Sequence, residues 1–157
     1  MNKKIPKSAK VVVIGGGVAG CSVAYHLTEF GWKDVVLLER DQLTSGTTWH
    51  AAGLIGQLGS SATITRLRNY SLNLYKKLEK ETGLSTGLKQ NGSLTVATTN
   101  ERLEELKRQL TFAQRFNVEA KEVNSEQIKE IYPLINTKDI VGGVFITQDG
   151  QADPVGV

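Results

Sequence analysis

The sequence has little sulfur or imidazole to work with: its 157 residues hold one cysteine, Cys21, and two histidines, His26 and His50. A lone cysteine excludes an internal disulfide and fits a reducing compartment. Scattered in this way, these residues do not have the spacing of a metal site. No apolar run approaches the roughly 20 residues of a membrane span. No signal-like apolar segment precedes the first strand. The expected setting is therefore cytoplasmic, or the mitochondrial matrix in a eukaryote. Neither sign of charge dominates, with 19 Lys and Arg against 16 Asp and Glu, a net charge of +3. Lys3, Lys4, Lys7 and Lys10 read as a short solvated arm rather than a nucleic-acid patch. Internal repeats and low-complexity segments are also missing.

What the sequence does have is concentrated near its start. Val11-Val-Val-Ile14 is apolar and β-branched, as expected of a parallel strand buried on both faces. Gly15-Gly-Gly-Val-Ala-Gly20 follows, placing Gly-x-Gly-x-x-Gly at positions 15, 17 and 20. Gly15 permits the tight turn, Gly17 lets backbone N–H groups approach a pyrophosphate, and Gly20 lets helix and strand pack closely. A helix is expected from Val18 to Phe30, stopping near Gly31. Its N-terminus, with Val18 and Ala19, offers free donors and partial positive charge to phosphate. A second strand, Val35-Val-Leu-Leu38, ends in Glu39, nineteen residues beyond Gly20. That is the separation expected for a carboxylate that takes a ribose hydroxyl pair and repels a 2′-phosphate. The ordered combination is far more specific than the glycines alone. A glycine turn that merely packs a helix on a sheet is the plainer alternative.

NAD and FAD share the ADP half, so the fingerprint does not separate them. The next segment does. Arg40 follows Glu39, and then comes Leu43-Thr-Ser-Gly-Thr-Thr-Trp-His-Ala-Ala-Gly-Leu54. It is rich in small and hydroxylated residues that can approach a pyrophosphate and a ribityl chain. Gly46, Thr47, Thr48, Trp49, His50, Ala51, Ala52, Gly53 and Leu54 join Gly15, Gly17, Val18, Ala19, Gly20, Glu39 and Arg40 as candidate cofactor-binding residues. Trp49 packs against a flavin or in the core. His26, inside the first helix, and Cys21 read as packing residues.

Gly-Gly-Gly-Val-Ala-Gly, Leu-Leu-Glu-Arg and above all the Thr-Trp-His segment resemble the N-terminal part of the dimethylglycine and sarcosine dehydrogenases. These belong to the D-amino-acid-oxidase-like flavoprotein superfamily. Asp149-Gly-Gln-Ala-Asp-Pro154 is similar to the Asp-Gly-x-x-Asp-Pro segment of the same superfamily, so the resemblance spans nearly the whole chain. It implies that FAD is the cofactor. It also implies that His50 carries FAD through a bond to the 8α-methyl carbon of the isoalloxazine, which would retain the cofactor and raise its reduction potential. A neutral imidazole, the nucleophilic form, predominates near pH 7. Non-covalent FAD beside an ordinary loop histidine is the alternative. The substrate implied is a small N-methylated amino acid such as sarcosine or dimethylglycine. Its N-methyl carbon gives a hydride to the flavin, and water hydrolyses the resulting iminium to formaldehyde. The electron acceptor stays open.

The remainder reads as alternating elements. A helix is expected from Thr63 to Thr82, with Leu67, Tyr70, Leu74, Tyr75 and Leu78 at helical spacing, ended by Gly83. A half-buried strand lies within Thr86 to Thr98. Asn100 is the expected cap of a helix whose apolar face is Leu103, Leu106, Leu110, Ala113 and Phe116. A strand near Val118 to Val123, a short helix capped by Ser125 and stopping before Pro133, and a strand from Ile140 to Thr147 complete the chain. Arg66 and Arg68 fit a solvated helix face better than a substrate-carboxylate site.

The expected fold class is α/β. A Rossmann-like FAD-binding βαβ unit, an incomplete doubly wound sheet, occupies residues 1–60. A helical connection and the start of an α+β substrate domain occupy 61–157, and the chain looks truncated. No catalytic residue is assignable within it. An amine-oxidising flavoprotein is the leading expectation. A non-catalytic dinucleotide-binding module needing a partner to complete its sheet is the second. A small NAD-dependent dehydrogenase is the third, weakened by the histidine loop.

Overall fold

The structure, a computed structural model, describes residues 6–157, so Lys3 and Lys4 of the basic arm lie outside the described residues. The chain divides into two compact units, one reaching to Ala52 and the other spanning Gly53–Gly156.

The first unit is β1 (Val11–Ile14), α1 (Val18–Glu29) and β2 (Val35–Leu38). The two strands pair in parallel, from Val11 opposite Val35 to Ile14 opposite Leu38, so they end level. Helix α1 stops at Phe30, and Gly31 adopts φ +85°, the left-handed conformation that a residue without Cβ takes cheaply. Within this unit α1 covers one face of the strands. Val13 points toward it, since a Cβ on Gly20 would lie 3.5 Å from Val13 Cγ1. Val12 and Ile14 point the other way and are exposed. The expectation that β1 is buried on both faces is therefore wrong for the described chain. A run of β-branched residues reports that a strand can be covered twice, but only one layer of this unit supplies cover.

The second unit begins with β3 (Leu54–Ile55), which pairs antiparallel with β7 (Gly150–Gln151). Between them come α2 (Ala62–Thr82), β4 (Ser93–Ala97), α3 (Asn100–Gln114), β5 (Ala120–Val123), α4 (Ser125–Ile131) and β6 (Gly142–Ile146). Strand β6 is the centre of an antiparallel sheet ordered β4-β6-β5. Side chains alternate across that sheet. Val144 joins Ala97 and Leu106 of α3 in the core, with Leu103, Leu110, Ala120 and Ile146 packed around them. Gly143 faces the other way, where Ile128 of α4, fully buried, comes to within 3.3 Å of the position its Cβ would take.

Helix α2 keeps the expected length but buries a different stripe. Thr65 and Leu72 are its buried residues, while Leu67 and Tyr70 are exposed. A threonine can lie inside because its hydroxyl is fully used, donating to Ser61 O (2.9 Å) and accepting from Gly59 N–H (3.1 Å). Two caps shift by one residue. Thr99, not Asn100, caps α3 by accepting from Arg102 N–H. Asn124, not Ser125, caps α4 through a reciprocal capping box with Gln127. In each case the residue one position earlier holds the extended backbone a cap requires.

Candidate functional site

The level ends of β1 and β2 put the glycine loop and Glu39 side by side at the carboxyl edge of the pair, where open α/β sheets bind ligands. Gly15 turns the chain at φ +106°, and its N–H still donates to Leu38 O, the last carbonyl of β2. Gly16 is buried, and its N–H donates to Glu39 Oε2 at 2.6 Å. Sequence reasoning missed this middle glycine, because the fingerprint treats its position as variable. A Cβ there would press on Leu43 and on Glu39 itself. At Gly20 a Cβ would collide with the carbonyl oxygen of Gly15.

Glu39 Oε1 accepts from the N–H groups of Arg40 (2.7 Å) and Asp41 (3.1 Å). Three backbone donors thus orient the carboxylate. Oε1 has both its lone pairs engaged and Oε2 one of two, which leaves Oε2 an acceptor site for a ribose hydroxyl. The N–H of Gly16, then that of Asp41, hold the Glu39 carboxyl below its ordinary pKa, against slight desolvation. The Arg40 N–H and charge help. With the folded pKa lowered, the stabilisation is complete above the ordinary glutamate value and is lost as pH falls through the folded one. The stability difference between the parent chain and Glu39→Gln should therefore shrink as pH falls from above the ordinary glutamate value of 4.5 to below it, measured by denaturant midpoints across that range. A difference independent of pH would show that these N–H contacts do not act on the charge.

The loop after Glu39 folds back on the glycine loop within the same unit. Thr44 N–H donates to Gly16 O at 2.9 Å, and Thr44 itself adopts φ +68°. Thr48 Oγ1 accepts from Val18 N–H at 2.9 Å, at the N-terminus of α1. It lies 2.9 Å from where a Cβ on Gly17 would be, so a side chain there would displace it. Residues Thr48–His50 form one 3₁₀ turn. Trp49 is about half exposed and its indole N–H donates to Ser45 O at 3.1 Å, so it is not a core residue. The His50 ring lies against it, with centroids 3.8 Å apart and planes tilted by 35°. Gly46, Thr47, Ala51 and Ala52 are exposed in the same loop, as are Ala19 and Arg40. Gly53 and Leu54 belong to the second unit, where Gly53 at φ +69° accepts from Ala152 N–H and Leu54 pairs with Gln151.

These features suit a dinucleotide. The first turn of α1 carries no acidic residue and Gly17 caps it without a side chain, so beyond the Val18 N–H that Thr48 Oγ1 occupies, the phosphate side is open backbone. Other residues of interest take local roles. His26 Nδ1 lies 2.6 Å from Ser22 O, and Cys21 is half-buried in α1. Arg68 donates to Leu58 O, and Arg66 lies over the Phe116 ring. In the second unit the buried Asp149 accepts from Gln57 N–H (2.8 Å) and Ser93 Oγ–H (2.6 Å). Nothing in the spacing of Gln57 and Ser93 announces that cluster.

Fold and site together define an α/β unit in which a glycine loop, a strand-end carboxylate and a hydroxyl-rich histidine loop meet. The model of the FAD dependent oxidoreductase (DAO) family matches residues 10–157, and the chain belongs to that family. It is 43% identical over 156 residues to human mitochondrial sarcosine dehydrogenase, covering 99% of this chain and 17% of that protein. It is also 43% identical over 146 residues to human mitochondrial dimethylglycine dehydrogenase, covering 93% of this chain and 17% of that one. Among solved structures, an L-proline dehydrogenase from P. horikoshii superposes with a TM-score of 0.87 at 31% identity, over 96% of this chain and 39% of the other. The resemblance drawn from the motifs therefore holds at the level of the family.

Proposed function

We propose that this chain holds and anchors FAD in an amine dehydrogenase that oxidises the C–N bond of a small N-methylated amino acid. The observation that carries the reading is the joining of glycine loop, Glu39 and histidine loop in one unit by the Thr44–Gly16 and Thr48–Val18 hydrogen bonds. The similarity to sarcosine and dimethylglycine dehydrogenases supports the substrate class. Their mitochondrial naming supports a matrix setting if the source is a eukaryote.

In this reading Gly15, Gly17, Gly20 and the first-turn N–H of Ala19 receive the pyrophosphate, Val18 lies beside them with its N–H held by Thr48 Oγ1, and Glu39 takes the adenosine ribose. Arg40, Gly46, Thr47, Thr48, Trp49, Ala51 and Ala52 line the path of the remainder. Bound FAD supplies a two-electron hydride acceptor. His50 would be the residue that holds FAD covalently: a ring nitrogen would bond the 8α carbon with loss of the imidazole N–H and one 8α C–H, and an external oxidant such as dioxygen would take up the electron pair.

The test is acid denaturation after expression with flavin available. Flavin fluorescence should remain with the parent polypeptide and disappear from His50→Ala. Release of flavin from the parent chain removes the tether and leaves FAD binding. Failure of the native chain to bind any flavin sinks the whole reading.

A further inference from the structure

We infer that Trp49 is a positioning residue for His50, setting the imidazole so that its edge, and not its face, is presented for bond formation. The inference rests on the His50 tether proposed above. Trp49 is a large apolar ring left about half exposed, so burial does not explain its orientation. Its orientation comes from two ties within its own loop: the indole N–H on Ser45 O at 3.1 Å, and its backbone N–H on Thr44 O at 3.4 Å. His50 then has one ring face against the indole at 3.8 Å. Among the described residues neither ring nitrogen of His50 has a hydrogen-bond partner. The arrangement thus restricts the rotamer while leaving both nitrogens uncommitted.

An exposed histidine not held in this way samples several staggered χ1 and χ2 settings, of which few aim a nitrogen at a fixed carbon. Holding one of them converts a search into a preset approach, which is where orientation contributes to rate. The chain anchors the turn a third time through Thr48 Oγ1 and Val18 N–H, so the stack is fixed relative to the glycine loop. In the tether-forming step the N–C bond would form as one proton leaves nitrogen and one leaves carbon, with the external oxidant taking the electron pair. Trp49 contributes no atom to it.

The experiment follows covalent FAD incorporation with time, as acid-stable flavin fluorescence, in the native chain, Trp49→Ala, Trp49→Phe and His50→Ala. Trp49→Ala should incorporate FAD at least about tenfold more slowly. Reversible FAD affinity is titrated in parallel, and the loss of incorporation rate should exceed any loss of affinity by at least about tenfold. Trp49→Phe keeps a ring against His50 and should restore most of the rate. A cofactor-free readout accompanies it. In a Trp32→Phe background, Trp49 emission should differ between the chain and its His50→Ala variant, because the imidazole lies against the indole. Incorporation by Trp49→Ala at the parent rate overturns the inference and leaves the tether standing, as does Trp49 emission that ignores His50. Equal losses of affinity and incorporation make Trp49 merely structural, which also overturns it. Flavin released by acid from the parent chain removes the tether reading itself, and the inference with it.

Discussion

Gly20→Val should cost the first unit at least about 3 kcal/mol and abolish measurable FAD binding by the chain. The reason is backbone against backbone. The first added atom, Cβ, would already collide with the carbonyl oxygen of Gly15, and Val13 Cγ1 lies 3.5 Å away on the strand beneath. No flexible side-chain end is available to move aside. Relief requires α1 to lift from β1 or the Gly15 turn to reopen. Either motion separates the helix N-terminus from the carboxyl ends of the strands, where the phosphate donors must converge. Overpacking usually costs about 1–3 kcal/mol where side chains absorb the strain, and here they cannot. Gly46→Ala is the matched control, because nothing lies within 4 Å of its Cβ position. Denaturant midpoints of both variants, and FAD titration of Gly20→Val against the parent, decide the matter. A Gly20→Val chain within about 0.5 kcal/mol of its parent, the usual range for a harmless surface change, would show that this close approach is not a constraint.

Asp149→Ala should destabilise the second unit by about 1–3 kcal/mol, read from the shift in its denaturant midpoint. The residue is only 4% exposed and its carboxyl oxygens accept from three donors, Gln57 N–H, Gln57 Nε2 (3.5 Å) and Ser93 Oγ–H. Gln57 is itself buried, so truncation strands its N–H away from water. The cluster joins the segment after β3, the start of β4 and the turn between β6 and β7. Its loss should therefore also speed amide exchange at Gln57, and at Gly92, whose N–H donates to Asp149 O. Asp149→Asn keeps one acceptor oxygen but turns an NH₂ toward a donor, and should fall between the two. A loss below about 1 kcal/mol in Asp149→Ala would mean that water replaces the carboxyl group.

The two cases differ in how they could be foreseen. The Gly20 constraint is legible from the order strand, glycine loop, helix, because three short-range events force it. The buried valence of Asp149 is not, since its donors Gln57 and Ser93 lie 92 and 56 positions away. The motif Asp149-Gly-Gln-Ala-Asp-Pro154 marks the residue as recurring in the family without saying what it holds. Similarly, the helical spacing of Leu67 and Tyr70 is sound as a helix signal. It misleads about the buried face, because a threonine whose hydroxyl is fully bonded competes for the interior on equal terms with leucine.

The sequence by itself determined the strands, the helices, the glycine turn and the acid at the end of β2. Each follows from steric and hydrogen-bonding rules that act over a few residues. It also determined the family, through the Thr-Trp-His segment. Only the tertiary structure decided how the three backbone N–H groups converge on Glu39, that Thr48 caps the donor of Val18, and that Trp49 lies on His50 rather than in a core. Those outcomes depend on where a hydrogen-bond partner arrives after the chain has closed. A pattern of residue types carries apolar period and turn preference, but not the address of a distant lone pair.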